Sequence, residues 1–182
     1  MPWESLSARD LLRLPPEALA AALRAGKCCG MDLRGAQLAR QDLHGADLTR
    51  TRLSGVNLSH ANLSGAKLYA ALLDKADLRN ANLSDADLEF AVLGMANLSH
   101  ATLCNANLKR SNLVGTVAQD ADFSRADFYY ARPGNADFSG AVLRGANIER
   151  AIFRRANLSK ADLRGTRGQP KFENTNLEGA TQ

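Results

Sequence analysis

The side chains suited to nucleophilic, acid–base or metal chemistry are few: His44, His60 and His100, Cys28, Cys29 and Cys104, and serines such as Ser54, Ser59, Ser64 and Ser84. Three cysteines without a CxxC pair give neither a zinc-ligand set nor a disulfide framework. The serines recur at a fixed step, where hydrogen bonding within turns accounts for them, and no glycine run has phosphate-loop spacing. No enzyme, metal or cofactor is therefore expected. What remains is recognition chemistry. Tyr69, Phe90, Tyr129 and Tyr130, with Arg110 and Arg150, combine aromatic rings and guanidinium groups, the composition of protein interfaces. Leu72, Val92, Met95, Val114 and Ile152 put hydrocarbon where polar residues otherwise recur.

These residues are scattered along the chain, so an unusual architecture has to gather them. From Leu33 to Leu163 every fifth residue is large and apolar: 25 of 27 such positions are Leu, Ile or Phe, and only Ala118 and Pro133 depart. A helix cannot use that step, because at about 100° per residue the leucines would wind around the cylinder. A flat strand cannot use it either, since an odd step flips each leucine to the other face. The chain must turn every five residues, and no single unit can bury its apolar face alone. The position two before each centre is Ala in 21 of 27 cases, small enough to point inward beside it. The residue between them is Asp or Asn in 17 of 27, which makes in, out, in: a three-residue side. The other two positions, rich in Ser, Gly, Asn and Arg, form the corner.

Runs such as Ala81-Asn82-Leu83-Ser84-Asp85 and Ala161-Asp162-Leu163-Arg164-Gly165 resemble the A(D/N)Lxx motif of the pentapeptide-repeat family. The resemblance covers roughly three quarters of the chain. It implies an all-β solenoid: a right-handed quadrilateral β-helix of about seven coils, four pentapeptides to a coil, with a short α-helical N-terminal cap. At ~4.8 Å between coils the rod is roughly 32 Å long. The expected organisation is 1–30 helical cap, 31–166 β-helix, and 167–182 a loop and last partial coil. Leu63, Leu83, Leu103, Phe123, Phe128 and Phe138 are among the expected core centres. In a four-sided coil Ala118 lies across from Phe128 and Pro133 across from Phe123, so each small or awkward centre faces a larger one.

The ends need covering, because an open β-helix exposes apolar core and unpaired edges. Ser7 is suited to cap a helix through about Leu14, and Pro16 with Gly26 brackets a second helix, Glu17 to Ala25, with Leu19 and Leu23 on one stripe. After Leu163 the phase slips by one residue, since Phe172 and Leu177 lie nine and fourteen residues further on. Gly168-Gln169-Pro170 is expected to form the loop there. In some family members the C-terminal coil makes a dimer, and the resemblance extends that expectation to a homodimer here.

Residues twenty apart should stack on one side of the rod. That sorting puts Tyr69, Phe90, Tyr129 and Tyr130 on one side with Arg50, Lys67, Lys109, Arg110 and Arg150, and the apolar group on the adjoining side. His60 and His100 share a side but stand two coils apart, roughly 10 Å, too far to share a metal. Net charge is +4 and the corner positions of residues 31–165 hold 14 Lys or Arg against 5 Asp or Glu. Arg144, Arg150, Arg154, Arg155, Lys160 and Arg164 concentrate in the C-terminal third.

The expected function is a non-catalytic scaffold that binds a macromolecule, a protein before others, through this outer side. The resemblance supplies an alternative, since some members bind DNA gyrase and protect it from inhibitors by imitating duplex DNA. Those members tend to be acidic, with Phe centres and projecting loops, whereas this chain has Leu centres and a positive balance. Direct nucleic-acid binding through the basic C-terminal third is a further alternative, without a recognised motif. The first thirty residues lack a signal-peptide core, and no run of 18 apolar residues occurs, so a cytoplasmic protein without a membrane anchor is expected.

Overall fold

The structure, a computed structural model, describes residues 7–26 and 28–182. The first six residues of the expected cap, and Lys27, lie outside the described residues. Past the N-terminal helices the chain winds with a pitch of twenty residues as far as Arg167. Parallel bridges join outward residues to those twenty further on, as in Asn62↔Asn82, Leu72↔Val92 and Asp127↔Asn147, with a gap between Arg132 and Ile152 beside Pro133, which has no N–H to donate. Each side is so short that it pairs through one bridge instead of a regular strand. The N–H of a centre donates to the coil ahead (Leu63 N to Asn82 O, 2.7 Å), and the outward N–H donates to the coil behind (Asn62 N to Gln41 O, 3.0 Å).

The interior follows the five-residue pattern. Leu63, Leu83, Leu103, Phe123, Phe128 and Phe138 are wholly buried, with alanines such as Ala61, Ala81 and Ala121 beside them. Four phenylalanine rings cluster where the centres change size. Phe123 meets Phe128 and Phe138 at 5.3 and 5.2 Å between centroids, and Phe128 meets Phe153 at 6.1 Å. Ala118 and Pro133 are buried in the same stretch. Where the small slot is polar, the hydroxyl is satisfied locally: Thr51 Oγ1 and Ser111 Oγ donate to the carbonyls of Leu48 and Leu108 at 2.7 Å. A buried hydroxyl that finds a carbonyl avoids the cost of an unpaired polar group.

Each corner is a β-turn closed from the small residue back to the preceding centre, as in Ala66 N to Leu63 O at 3.0 Å. Its second corner residue has positive φ at every repeat from Gly35 to Gly165, and most occupants are not glycine: Arg50 (56°), Ala70 (53°), Phe90 (60°), Arg110 (56°) and Tyr130 (56°) are examples. Positive φ at the third residue of a turn belongs to the type II class. The outward Asp or Asn completes the corner by accepting the first corner N–H, as Asn57 Oδ1 does from Ser59 (3.0 Å) and Asp77 Oδ1 from Arg79 (3.2 Å). Hydrogen bonds from the residue two on hold Asp42, Asp47 and Asp77 below the usual carboxylate range, and Asp32, bonded to Arg34, falls to about 2. Amides also link coils, with Asn62 Nδ2 donating to Asp42 and Asn107 Nδ2 to Asp87.

Among the described residues two helices precede the solenoid. α1 spans Ala8–Leu11, with Ser7 at its N-cap and Asp10 completing a capping box. It stops short of the expected Leu14, the residue before Pro15, a place where helical backbone is disfavoured. α2 spans Pro16–Arg24 and buries Leu19, Ala20, Ala22 and Leu23. Leu11, Leu19 and Leu23 belong to the same apolar cluster as the first repeat leucines. At the other end the pitch shortens to nineteen: Asn147 pairs with Arg167, but Ile152 pairs with Lys171 and Asn157 with Asn176. The corner at Gly168 thus loses a residue. A Cβ there would lie 2.4 Å from Glu149 Cα, so only glycine fits this shortened path.

Candidate macromolecule-binding surface

The twenty-residue pitch stacks the second corner positions of one side into a column: Arg50, Ala70, Phe90, Arg110, Tyr130, Arg150. From Phe90 onward aromatic and cationic side chains alternate. Arg110 lies over the Phe90 ring at 5.4 Å, and Arg150 over the Tyr130 ring at 5.2 Å, with its guanidinium also donating to the Tyr130 hydroxyl. Tyr69 and Phe90 meet edge to face at 5.6 Å, as do Tyr129 and Tyr130 at 4.7 Å. Such contacts fix the orientation of side chains that remain 39% exposed at both Phe90 and Tyr130. The hydrogen bond to Tyr130 raises the Arg150 pKa above its usual value.

This column stands at the corner between the aromatic side and the apolar side, and the two groups of residues meet there. Phe90, Arg110, Tyr129, Tyr130, Arg132 and Ile152 surround an open depression of about 630 Å³. A second, of about 350 Å³, adjoins it through Arg132 and Ile152 and extends past Val114 and Gly134 to Arg154 and Arg155. Together they form a shallow trough. Tyr69 and Arg150 extend the aromatic column beyond it, while Leu72 and Val92 form an apolar ladder on earlier coils and Met95 stands 62% exposed.

Arg132 and Gly134 were not among the residues singled out by the sequence, although both carry a signal. Arg132 stands in the outward slot that prefers Asp or Asn, and Gly134 takes a first corner position without positive φ. The four successive sides 91–95, 111–115, 131–135 and 151–155 contain no acidic residue at all. Outward carboxylates hold several arginines elsewhere: Arg79 is bound to Asp77, and Arg144 and Arg164 both reach Asp162. The C-terminal basic cluster is accordingly less free than its composition implies, with Arg154 also 3.7 Å from Glu173.

Groups for chemistry are not gathered in the same way. His100 approaches Asp120 at 4.0 Å, and burial, with the hydrogen bond to Asp122, pushes the half-buried Cys104 thiol up to about 11. Among the described residues no three His, Cys, Asp or Glu side chains are placed to hold a metal ion. No described helix is long and apolar enough to cross a membrane.

A solenoid with a filled interior and a patterned exterior is a repeat scaffold in class. The pentapeptide-repeat family model matches 8 copies over residues 32–68, 61–94, 96–131 and 134–167, and the chain belongs to the pentapeptide-repeat family, whose fold is the right-handed β-helix solenoid. Among solved structures it is similar to HetL, a pentapeptide-repeat protein involved in heterocyst differentiation regulation from the cyanobacterium Nostoc sp. strain PCC 7120 (24% identity, 96% of each chain, TM-score 0.42). It is similar to QnrB1, a plasmid-mediated fluoroquinolone resistance protein (22% identity, 86% of this chain and 84% of that one, TM-score 0.42). It also resembles alr5209 from Nostoc PCC 7120 (37% identity, 50% of this chain and 75% of that one, TM-score 0.47). No curated protein is significantly similar to it.

Proposed function

We propose that this protein is a non-catalytic scaffold, a rod of about seven coils closed at one end by α1 and α2, that binds a macromolecular partner across the corner of Phe90, Arg110, Tyr130 and Arg150. The observation that carries this reading is the alternating aromatic and cationic column beside an open apolar trough. Repeat drift alone scatters such residues, whereas here each guanidinium lies over a ring and the rings stay partly exposed. Rigid aromatic groups with arginine are the side chains that dominate binding energy at interfaces.

A gyrase partner, the alternative that the resemblance offers, calls for an acidic surface, and the four acid-free sides oppose it. The test is affinity capture from native cell extract with the wild-type chain and with the triple variant Tyr129→Ala/Tyr130→Ala/Arg150→Ala. Capture should disappear in the variant while its circular dichroism and melting curve stay near wild type. Unchanged capture would reject this side. Recovery of gyrase by the wild type would restore the alternative.

A further inference from the structure

We propose that the trough around Arg132 and Gly134 binds an extended acidic segment of a protein partner, one in which apolar side chains alternate with carboxylates. The inference rests on the reading of this corner as the partner-binding side and names the chemistry of what it binds. Its floor is formed at Gly134, where the absence of a side chain lets the surface dip between Val114 and Arg154. Val114, 41% exposed, and Ile152 supply hydrocarbon for the apolar side chains of the segment. Charge complementarity supplies the rest. Arg110, Arg132 and Arg155 form no ion pair among the described residues, in contrast to the arginines tied to Asp77 and Asp162. No acidic residue lies on the four sides that build the floor. Arg154 on the same rim is 3.7 Å from Glu173, whereas the three guanidinium groups without carboxylates around this floor match a peptide that brings carboxylates with it and forms charge-assisted bonds.

A nucleic-acid strand fits less well. A phosphate track requires cations in series along its path, but Glu89 and Glu149 stand on the aromatic side and the floor itself is hydrocarbon. An extended segment instead offers side chains to opposite faces in alternation, so apolar groups can enter the trough while intervening carboxylates reach its arginine rim.

The experiment selects a random-peptide display library on the immobilised full-length protein and measures the recovered peptides by fluorescence anisotropy. Wild type is compared with Gly134→Glu and Arg132→Glu, and a labelled mixed-sequence single-stranded oligonucleotide is run alongside. Gly134 lacks positive φ, and a Cβ there meets the Arg154 carbonyl at 3.5 Å, an ordinary contact, so the glutamate fills the trough without backbone strain. Arg132 is exposed, which gives a second variant that leaves the core untouched. Recovered peptides should be rich in Asp and Glu interspersed with Leu, Ile or Phe, and each variant should weaken them by about tenfold or more with melting curves unchanged. Peptides that are neutral or basic, binding indifferent to both substitutions, or no peptide at all would overturn the inference. So would an oligonucleotide that binds through Arg132 and Gly134 in place of peptides. If any of these occurs while the Tyr129/Tyr130/Arg150 variant still loses native capture, the acidic segment is rejected and the scaffold reading stands; if that variant keeps native capture as well, the side itself is rejected.

Discussion

The second corner residue carries a conformational cost that its side-chain identity often does not relieve. Left-handed backbone costs a residue with a Cβ about 1–2 kcal/mol, and Arg, Lys, His, Phe and Tyr all occupy it here. Inter-coil hydrogen bonds hold them there, as Arg50 N does with Tyr69 O at 2.9 Å. At Phe90, Arg110, Tyr130 and Arg150 the larger side chain builds the proposed binding column, so replacement by glycine would relieve strain and remove function together. Ala70 has the same geometry, with φ 53° and Ala70 N bonded to Glu89 O, but a methyl group contributes little to recognition. Ala70→Gly should therefore stabilise the protein by about 0.5–1 kcal/mol, less than the full strain because glycine gains more entropy when unfolded. Urea unfolding followed by circular dichroism measures it, and a destabilised variant would show that these corners are not strained.

At the scale of the pentapeptide, the sides and corners have different determinants. The sides were legible in the sequence because inward Ala and Leu obey packing, which allows few residue types, and a wholly buried centre recurs at each step. The corners were partly legible: Gly and Asn advertise positive φ, whereas Arg110 and Tyr130 adopt it without any local preference that names them. The trough was the least legible, since it depends on Gly134 lacking a side chain between neighbours twenty residues away in either direction. Packing between centres makes its own prediction. Phe128 touches three other rings, those of Phe123, Phe138 and Phe153, in the stretch where Ala118 leaves the core narrow-sided. Phe128→Ala should leave a larger void than Leu78→Ala, because no bulky opposite centre can relax into it. The expected losses are about 3–5 kcal/mol for Phe128→Ala and about 2–4 for Leu78→Ala. Equal thermal and denaturant stability of the two variants would remove the compensation between large and small centres.

For the whole rod, position along the axis and position around it are set by different lengths of chain. Twenty residues advance one coil without changing sides, while five residues turn the rest of the molecule by one side. A solenoid's stability is close to a sum of unit and nearest-neighbour terms, so both kinds of deletion should be tolerated if the centre-to-centre step is preserved. Their effects on binding should differ. Deleting residues 44–63 joins Leu43 to Ser64 on the same side and removes none of the proposed contact residues. Deleting residues 99–103 joins Leu98 to Cys104 and also keeps the five-residue phase, but it carries Arg110, Tyr130 and Arg132 around the rod to a different side from Phe90 and Met95. The aromatic column would then be broken between Phe90 and Arg110, which now lie in cation–π contact. Both proteins should melt cooperatively, the longer deletion losing more stability because it removes four buried leucines, Leu48, Leu53, Leu58 and Leu63. Partner capture should survive the twenty-residue deletion and fail in the five-residue one. Retention by both would mean that binding does not require one continuous side, and loss from both folded proteins would move the interface toward the N-terminal coils.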